Sequence, residues 1–212
     1  MGMYAMAQTN LAAKKHSPVE ESVPGMKTNN GFDMSQLQGL VDAVKGHPNL
    51  AQAMLSANVE WREGFYTEAY VKDFVAGGAK NETSRKRPFV VPQDHPYELG
   101  GGTNRGATAG ELLLATLGHC LTGGFANASA IMGIPLDSLN VEVEGEIDLH
   151  GVLGLPEPGV VQPGFQAIRA RYHVKSKAPR EQLMAAAKIA EDLSPVKDSL
   201  RAVKFSSQLL VQ

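Results

Sequence analysis

The hydrophobic positions of this chain change period several times, and each change marks an element. From Asp33 onward, Met34, Leu37, Leu40, Val41 and Val44 recur at i, i+3, i+4 spacing as far as Gly46, the pattern of an amphipathic helix. Pro48 predicts a second short helix carrying Leu50, Ala51, Met54 and Leu55. The period then falls to two. Val59, Trp61, Phe65, Thr67, Ala69 and Val71 face one way and Tyr66, Glu68 and Tyr70 the other, which predicts a hairpin turning at Glu63-Gly64. Residues 87–91 read as a third short strand. Residues 92–109 carry Pro92, Pro96, Gly100, Gly101, Gly102 and Gly106 and read as a loop.

A long helix from about Gly110 to Met132 comes next, stopped by Gly133 and Pro135. Beyond it, Leu139, Val141, Val143, Gly145, Ile147 and Leu149 alternate inward against outward Asn140, Glu142, Glu144, Glu146 and Asp148. A second alternating strand over residues 165–175 presents Arg169, Arg171 and His173, which can pair with that acidic stripe. Pro179 opens a helix to Leu193 with Leu183, Met184, Ala187 and Ala190 on one face. Ser194 and Pro195 suit the N-cap and first position of a short last helix, and Val203 to Val211 closes the chain as a strand. Strands, a long helix, strands, a helix and a strand in this order predict an α+β class with antiparallel sheets. Three segments follow: a flexible arm over 1–31, a helical extension over 32–55, and the main domain over 56–212.

Composition narrows the function classes. Twenty Lys and Arg against 22 Asp and Glu give a formal charge of −2, which removes bulk attraction to nucleic acid or anionic lipid. No run of about 18 apolar residues is present to span a membrane. Residues 1–15 lack the apolar core of a signal peptide, and a single cysteine fits a reducing compartment. The expected location is the cytoplasm. The lone Cys and six dispersed His lack metal-ligand spacing, and the glycine loop at 100–106 lacks the Gly-Lys-Ser/Thr ending of a phosphate cradle. No metal or cofactor is expected. The glycine loop reads instead as a mobile active-site or dimer-contact loop.

Cys120, the one cysteine, lies within the predicted long helix, and with no second cysteine no disulfide forms within one chain. At about 100° per residue it shares a face with Leu113, Thr116, Leu117, Gly124 and Ala128. Gly123 and Gly124 each cost about 1 kcal/mol in a helix interior; close approach of another backbone, or room beside the thiol for a ligand, would account for them. Free cysteine is commonly inert core. A reactive thiolate here needs a cation from outside the helix, and Arg105, then Arg62, are nearest in sequence. His119 points about 100° away from Cys120, and Glu111 is nearly opposite.

The stretch Glu111-Leu-Leu-Leu-Ala-Thr-Leu-Gly-His-Cys120 resembles the Glu-Leu-Leu-x-Ala-x-x-x-x-Cys motif of the OsmC/Ohr family of organic hydroperoxide reductases. Residues 194–200 (Ser-Pro-Val-Lys-Asp-Ser-Leu) resemble the family's Cys-Pro-Val-x-x-x-Leu segment, and residues 96–101 resemble the loop before its central helix. The resemblance spans residues 56–212. It implies antiparallel sheets packed around a long central helix in an intertwined homodimer, with a site near the interface. It also implies a cytoplasmic bacterial protein of the oxidative stress response, with catalytic Cys120, a glutamate, taken as Glu111, and an arginine, for which Arg105 is the candidate nearest in sequence. Two departures are visible. Ser194 stands in the place of the second, disulfide-forming cysteine. The carboxylate that the best-known members carry at the position of Gly110 stands one residue later, at Glu111.

Two readings lead from here. In the first, Cys120 reduces an organic hydroperoxide and an external thiol reductant completes a one-cysteine cycle. In the second, the chain is a non-catalytic dimer of the same fold that binds an apolar small molecule. A third, acyl transfer through Cys120 with His95, His119, His150 or His173 as base, has no local signature.

Overall fold

The computed structural model describes residues 28–81, 85–157 and 159–200. The expected closing strand at 203–211 and most of the N-terminal arm lie outside them. β1 (Thr28–Asn29) and β2 (Phe32–Asp33) form a minimal hairpin around Asn30-Gly31, both at positive φ (49° and 82°), the Asn-Gly turn whose twist matches the flanking strands. The 1–31 boundary thus falls inside a paired turn. α1 (Met34–Gly46) follows directly, and Asp33 caps it by accepting hydrogen bonds from the amides of Ser35 (2.9 Å) and Gln36 (3.3 Å).

The second expected helix is not formed. Residues Pro48–Ala51 make a single 3-10 turn, and β3 (Ala53–Leu55) is a strand. Its partner explains the difference: β3 pairs with β6 (Phe74–Ala76), which turns at Gly77-Gly78 into β7 (Ala79–Asn81). The predicted hairpin is β4 (Asn58–Glu63) and β5 (Tyr66–Val71), in a register that puts Val59 opposite Ala69 and Glu60 opposite Glu68. β8 (Phe89–Gln93) adds to the other side of β5.

α2 (Ala109–Ile131) runs 23 residues and carries most of the buried side chains. β9 (Ser138–Ile147) covers one side of it, and α4 (Arg180–Asp192) packs on another. The short α3 (Leu149–Val152) and a loop lead from β9 to β10 (Phe165–Lys175), and α5 (Pro195–Ser199) follows α4. Phe125, Ala128, Ala186 and Ala190 form the buried contact between α2 and α4, with Tyr172 tilted against Phe125 at 5.7 Å between ring centres. The face of α4 is rotated from expectation: Ala186 is buried and Met184 is 60% exposed. Between β9 and β10 the outward charges pair as their alternation predicts. Arg171 bridges Glu144 (2.7 Å) and Glu142 (3.2 Å), His173 faces Glu142, and Arg169 meets Glu146.

The result is an α+β chain of small antiparallel sheets and helices. Among the described residues no helix is long and apolar enough to cross a membrane.

Candidate functional site

Two choices of small residue on α2 open a cleft beside its only thiol. Cys120, Gly123, Gly124, Asn127, Ala128 and Ile131 recur at helical spacing and form the floor. Ile189 and Ala190 from α4, Leu193 and Ser194 that follow it, and Pro195 at the start of α5 make one wall, and Phe32 stands on the cleft as well. The cavity measures about 430 Å³ and is mostly apolar. The two glycines have different reasons. A Cβ on Gly124 would stand 3.3 Å from both Cα and Cβ of Ala190, so this glycine lets α4 approach. A Cβ on Gly123 would meet nothing within 4 Å, so this one leaves room in the cleft.

At the head of the cleft the hydroxyl of Ser194 donates to Cys120 Sγ at 3.1 Å. The same oxygen accepts from the amide of Lys197 at 3.1 Å and so caps α5, as the Ser-Pro pair predicts. Ser194 is 3% exposed and Cys120 half-buried. A hydroxyl has one proton and two lone pairs, so its geometry is set by the cap on one side and by sulfur on the other. Asn127 Oδ1 is buried in the same cleft without a hydrogen-bond partner.

The other residues singled out in the sequence have their contacts elsewhere within the chain. Glu111 forms a capping box at the start of α2: its carboxylate accepts from the Thr108 amide (2.7 Å) and hydroxyl (2.8 Å). Those bonds, the amide first, hold its carboxyl below the usual range. It lines a larger groove of about 500 Å³ between α2 and β9, together with His119. That groove is bigger than the Cys120 cleft but holds no thiol, so volume does not identify the site. Helix phase had already put Glu111 opposite Cys120.

Arg105 binds Glu63 (2.6 Å) and Thr103 Oγ1 (2.7 Å) and lies 3.9 Å over the Tyr66 ring. Arg62 binds Glu68 (2.8 Å) and Tyr70 (2.6 Å). Hydrogen bonds from Tyr66, Tyr70 and Arg62, in that order, hold the Glu68 carboxyl at about 2. Neither arginine lines the Cys120 cleft. The glycine loop is tied down by Asp94, which is 1% exposed. Its carboxylate accepts from the Thr103 hydroxyl (2.6 Å) and from the amides of His95, Thr103 and Arg105. The Thr103 hydroxyl dominates, and these bonds together hold Asp94 at about 2.

Sequence reasoning found Cys120, Gly124 and Ala128 on one face and Ser194 as a cap. It missed Phe32, Asn127 and the α4 wall. No periodic signal links residues so far apart in sequence, although the Asn-Gly pair beside Phe32 could have marked a turn there.

A model of the family described as "OsmC-like protein" matches residues 101–208. Among solved structures, the chain resembles an OsmC-like protein from Mycoplasma pneumoniae at 15% identity and a TM-score of 0.53, over 71% of this chain and 89% of that one. A candidate osmotic stress induced and detoxification response protein from Psychrobacter arcticus gives 15% identity and a TM-score of 0.51, over 70% and 89%. The organic hydroperoxide resistance protein OhrB of Bacillus subtilis is similar at 17% identity and a TM-score of 0.40, over 69% and 90%. No curated protein matches.

Proposed function

Because the chain belongs to the OsmC-like protein family, whose theme is peroxide resistance and stress, we infer that Cys120 reduces organic hydroperoxides in a one-cysteine cycle. The observation that carries this reading is the Ser194 hydroxyl, 3.1 Å from Cys120 Sγ at the head of an apolar cleft. In the proposed step the Cys120 thiolate attacks the outer peroxide oxygen. The S–O bond forms as the O–O bond breaks, the alkoxide leaves and takes a proton to become an alcohol, and Cys120 becomes a sulfenic acid. An external thiol then condenses with it, releasing water and leaving a mixed disulfide. A second thiol attacks the sulfur of the first, joining the two reductant thiols in a disulfide and releasing the Cys120 thiolate. Ser194 has no thiol to close an internal disulfide, which is why the reductant comes from outside. The apolar lining suits a hydroperoxide with a hydrocarbon body better than hydrogen peroxide.

The working unit in this reading is a homodimer. Among the described residues only eight hydrophobic side chains are buried, while Val59 (60%), Trp61 (71%) and Phe89 (60%) leave one face of the β4–β5–β8 sheet bare. Within one chain Arg105 and Glu111 are engaged away from Cys120. For either to activate the thiol, as we propose, the partner subunit has to bring it there or its present contacts have to exchange.

A second reading keeps the dimer and the cleft but not the chemistry: a non-catalytic binder of apolar small molecules. The absent second cysteine favours it. Intact mass after stoichiometric cumene hydroperoxide, with and without dimedone and beside Cys120→Ser, separates the two. A rapid dimedone adduct on Cys120 alone is expected. An unmodified thiol in excess hydroperoxide sinks the peroxidase reading and leaves the binder.

A further inference from the structure

The Asn-Gly turn ahead of α1 belongs to no part of the chain that the family model matches, yet it is fastened to the far end of the Cys120 cleft. Asn29 donates its side-chain amide to the carbonyl of Ala130 at 2.7 Å, one of the last-turn carbonyls of α2. Asn30 donates to the Ile134 carbonyl at 2.9 Å and accepts from the Leu136 amide at 3.0 Å. Three side-chain bonds thus lock this turn onto the segment where α2 ends. Phe32 pairs with Asn29 across the hairpin and lines the cleft. Cys120 and Ile131 are eleven residues apart on the cleft floor, about 16 Å along a helix axis. The thiol therefore sits at one end and Phe32 at the other.

We propose that Phe32, held by the Asn-Gly turn, is the end stop of the Cys120 cleft and sets the longest apolar body that can lie in it with its reacting end at the thiol. The proposal rests on Cys120 being the reacting group. It makes Phe32 a specificity-determining residue and Asn30 a positioning residue. A stop of this kind discriminates by length alone: compounds shorter than the cleft never reach it, and longer ones must displace an aromatic ring anchored by three hydrogen bonds.

The test uses two length series on wild type, Phe32→Ala, Phe32→Trp and Asn30→Ala, with thermal unfolding to verify that each is folded. Cys120 oxidation is timed with tert-butyl hydroperoxide and with linoleic acid hydroperoxide. Cys120 alkylation is timed with N-ethylmaleimide and N-dodecylmaleimide, which requires no peroxide chemistry. Phe32→Ala should raise the long-to-short rate ratio about fivefold or more in both series, Asn30→Ala should move it the same way, and Phe32→Trp should lower it. An unchanged or lowered ratio for Phe32→Ala in the maleimide series overturns the proposal. If no variant reacts with either hydroperoxide but the maleimide ratios shift as expected, the peroxidase reading fails and the end stop stands.

Discussion

The hydroxyl of Ser194 stands 3.1 Å from the sulfur of Cys120, across 74 residues of sequence. A sulfur on a longer C–S bond at the same position would narrow that gap, and small rotations of the two side chains would bring it to the ~2.05 Å of a disulfide. Ser194→Cys should therefore form an internal bond to Cys120 on treatment with one equivalent of hydroperoxide. Non-reducing mass spectrometry would read it as a loss of two hydrogens per chain. Persistence of a dimedone-reactive sulfenic acid in this variant would mean that the two positions do not meet in solution.

Ser194 also caps α5 through the Lys197 amide. Ser194→Ala removes both bonds, so it should lower unfolding free energy by about 1 kcal/mol, the usual worth of a cap, and change the Cys120 oxidation rate. Ser194→Asp would restore a cap without a donor to sulfur. Urea titration of the pair, beside stopped-flow oxidation, separates the two roles: stability returns with Asp while the wild-type rate does not.

The adjacent glycines of α2 should respond in opposite directions. Gly123→Ala adds a Cβ into open space and should stabilise the helix by about 1 kcal/mol, while slowing the reaction of bulky reagents with Cys120. Gly124→Val drives its side chain into Ala190 and should destabilise by about 1–3 kcal/mol. Chemical denaturation of both variants decides this. Equal effects would mean that α4 does not pack where it is described.

How much of this was readable in advance follows the strength of the periods. α1, β9, β10 and α5 have clean alternation, helical spacing or a Ser-Pro start, and fall within a residue or two of expectation. β6 and β7 have three residues each, too few to show a period, and β3 became a strand because β6 was there to pair with it. Helix phase put Gly124 and Ala128 beside Cys120 and Glu111 across from it, as found. It could not supply Phe32 or the Ser194 contact, because each comes from an element whose placement depends on tertiary packing. Nearness in sequence singled out Arg105, whose donors within one chain go to Glu63 and Thr103; what it meets beyond one chain depends on packing that sequence spacing does not encode.

Asp94 should give the fold an acid limit. Its carboxyl sits at about 2 in the folded chain against an ordinary 3.8, so the folded state favours the ionised form. The stabilisation is fully present above about pH 4 and disappears as pH falls toward 2. Asp94→Asn keeps the shape but loses the charge-assisted acceptance from Thr103 and the loop amides. It should lower stability at neutral pH and flatten the fall between pH 4 and 2. A stability profile of the variant parallel to that of wild type would show that the loop is not held through this carboxylate.

The bare sheet face makes the strongest demand on a second copy. Val59, Trp61 and Phe89 lie on the same side of β4–β5–β8, each at least 60% exposed, with Arg85 over the Phe89 ring, and large apolar side chains left exposed together on one sheet face mark an interface. Trp61 fixes its indole by donating to the Gly64 carbonyl at 3.0 Å, so its ring is already placed for a partner and loses little freedom on binding. Trp61→Glu would set a charge in that patch and leave the chain's own buried core untouched. Sedimentation velocity at micromolar concentration should find wild type as a dimer and Trp61→Glu shifted to monomer, with unchanged far-ultraviolet dichroism. A monomeric wild type would remove the homodimer from the proposed function, and Arg105 and Glu111 could then reach Cys120 only by giving up their contacts within the same chain.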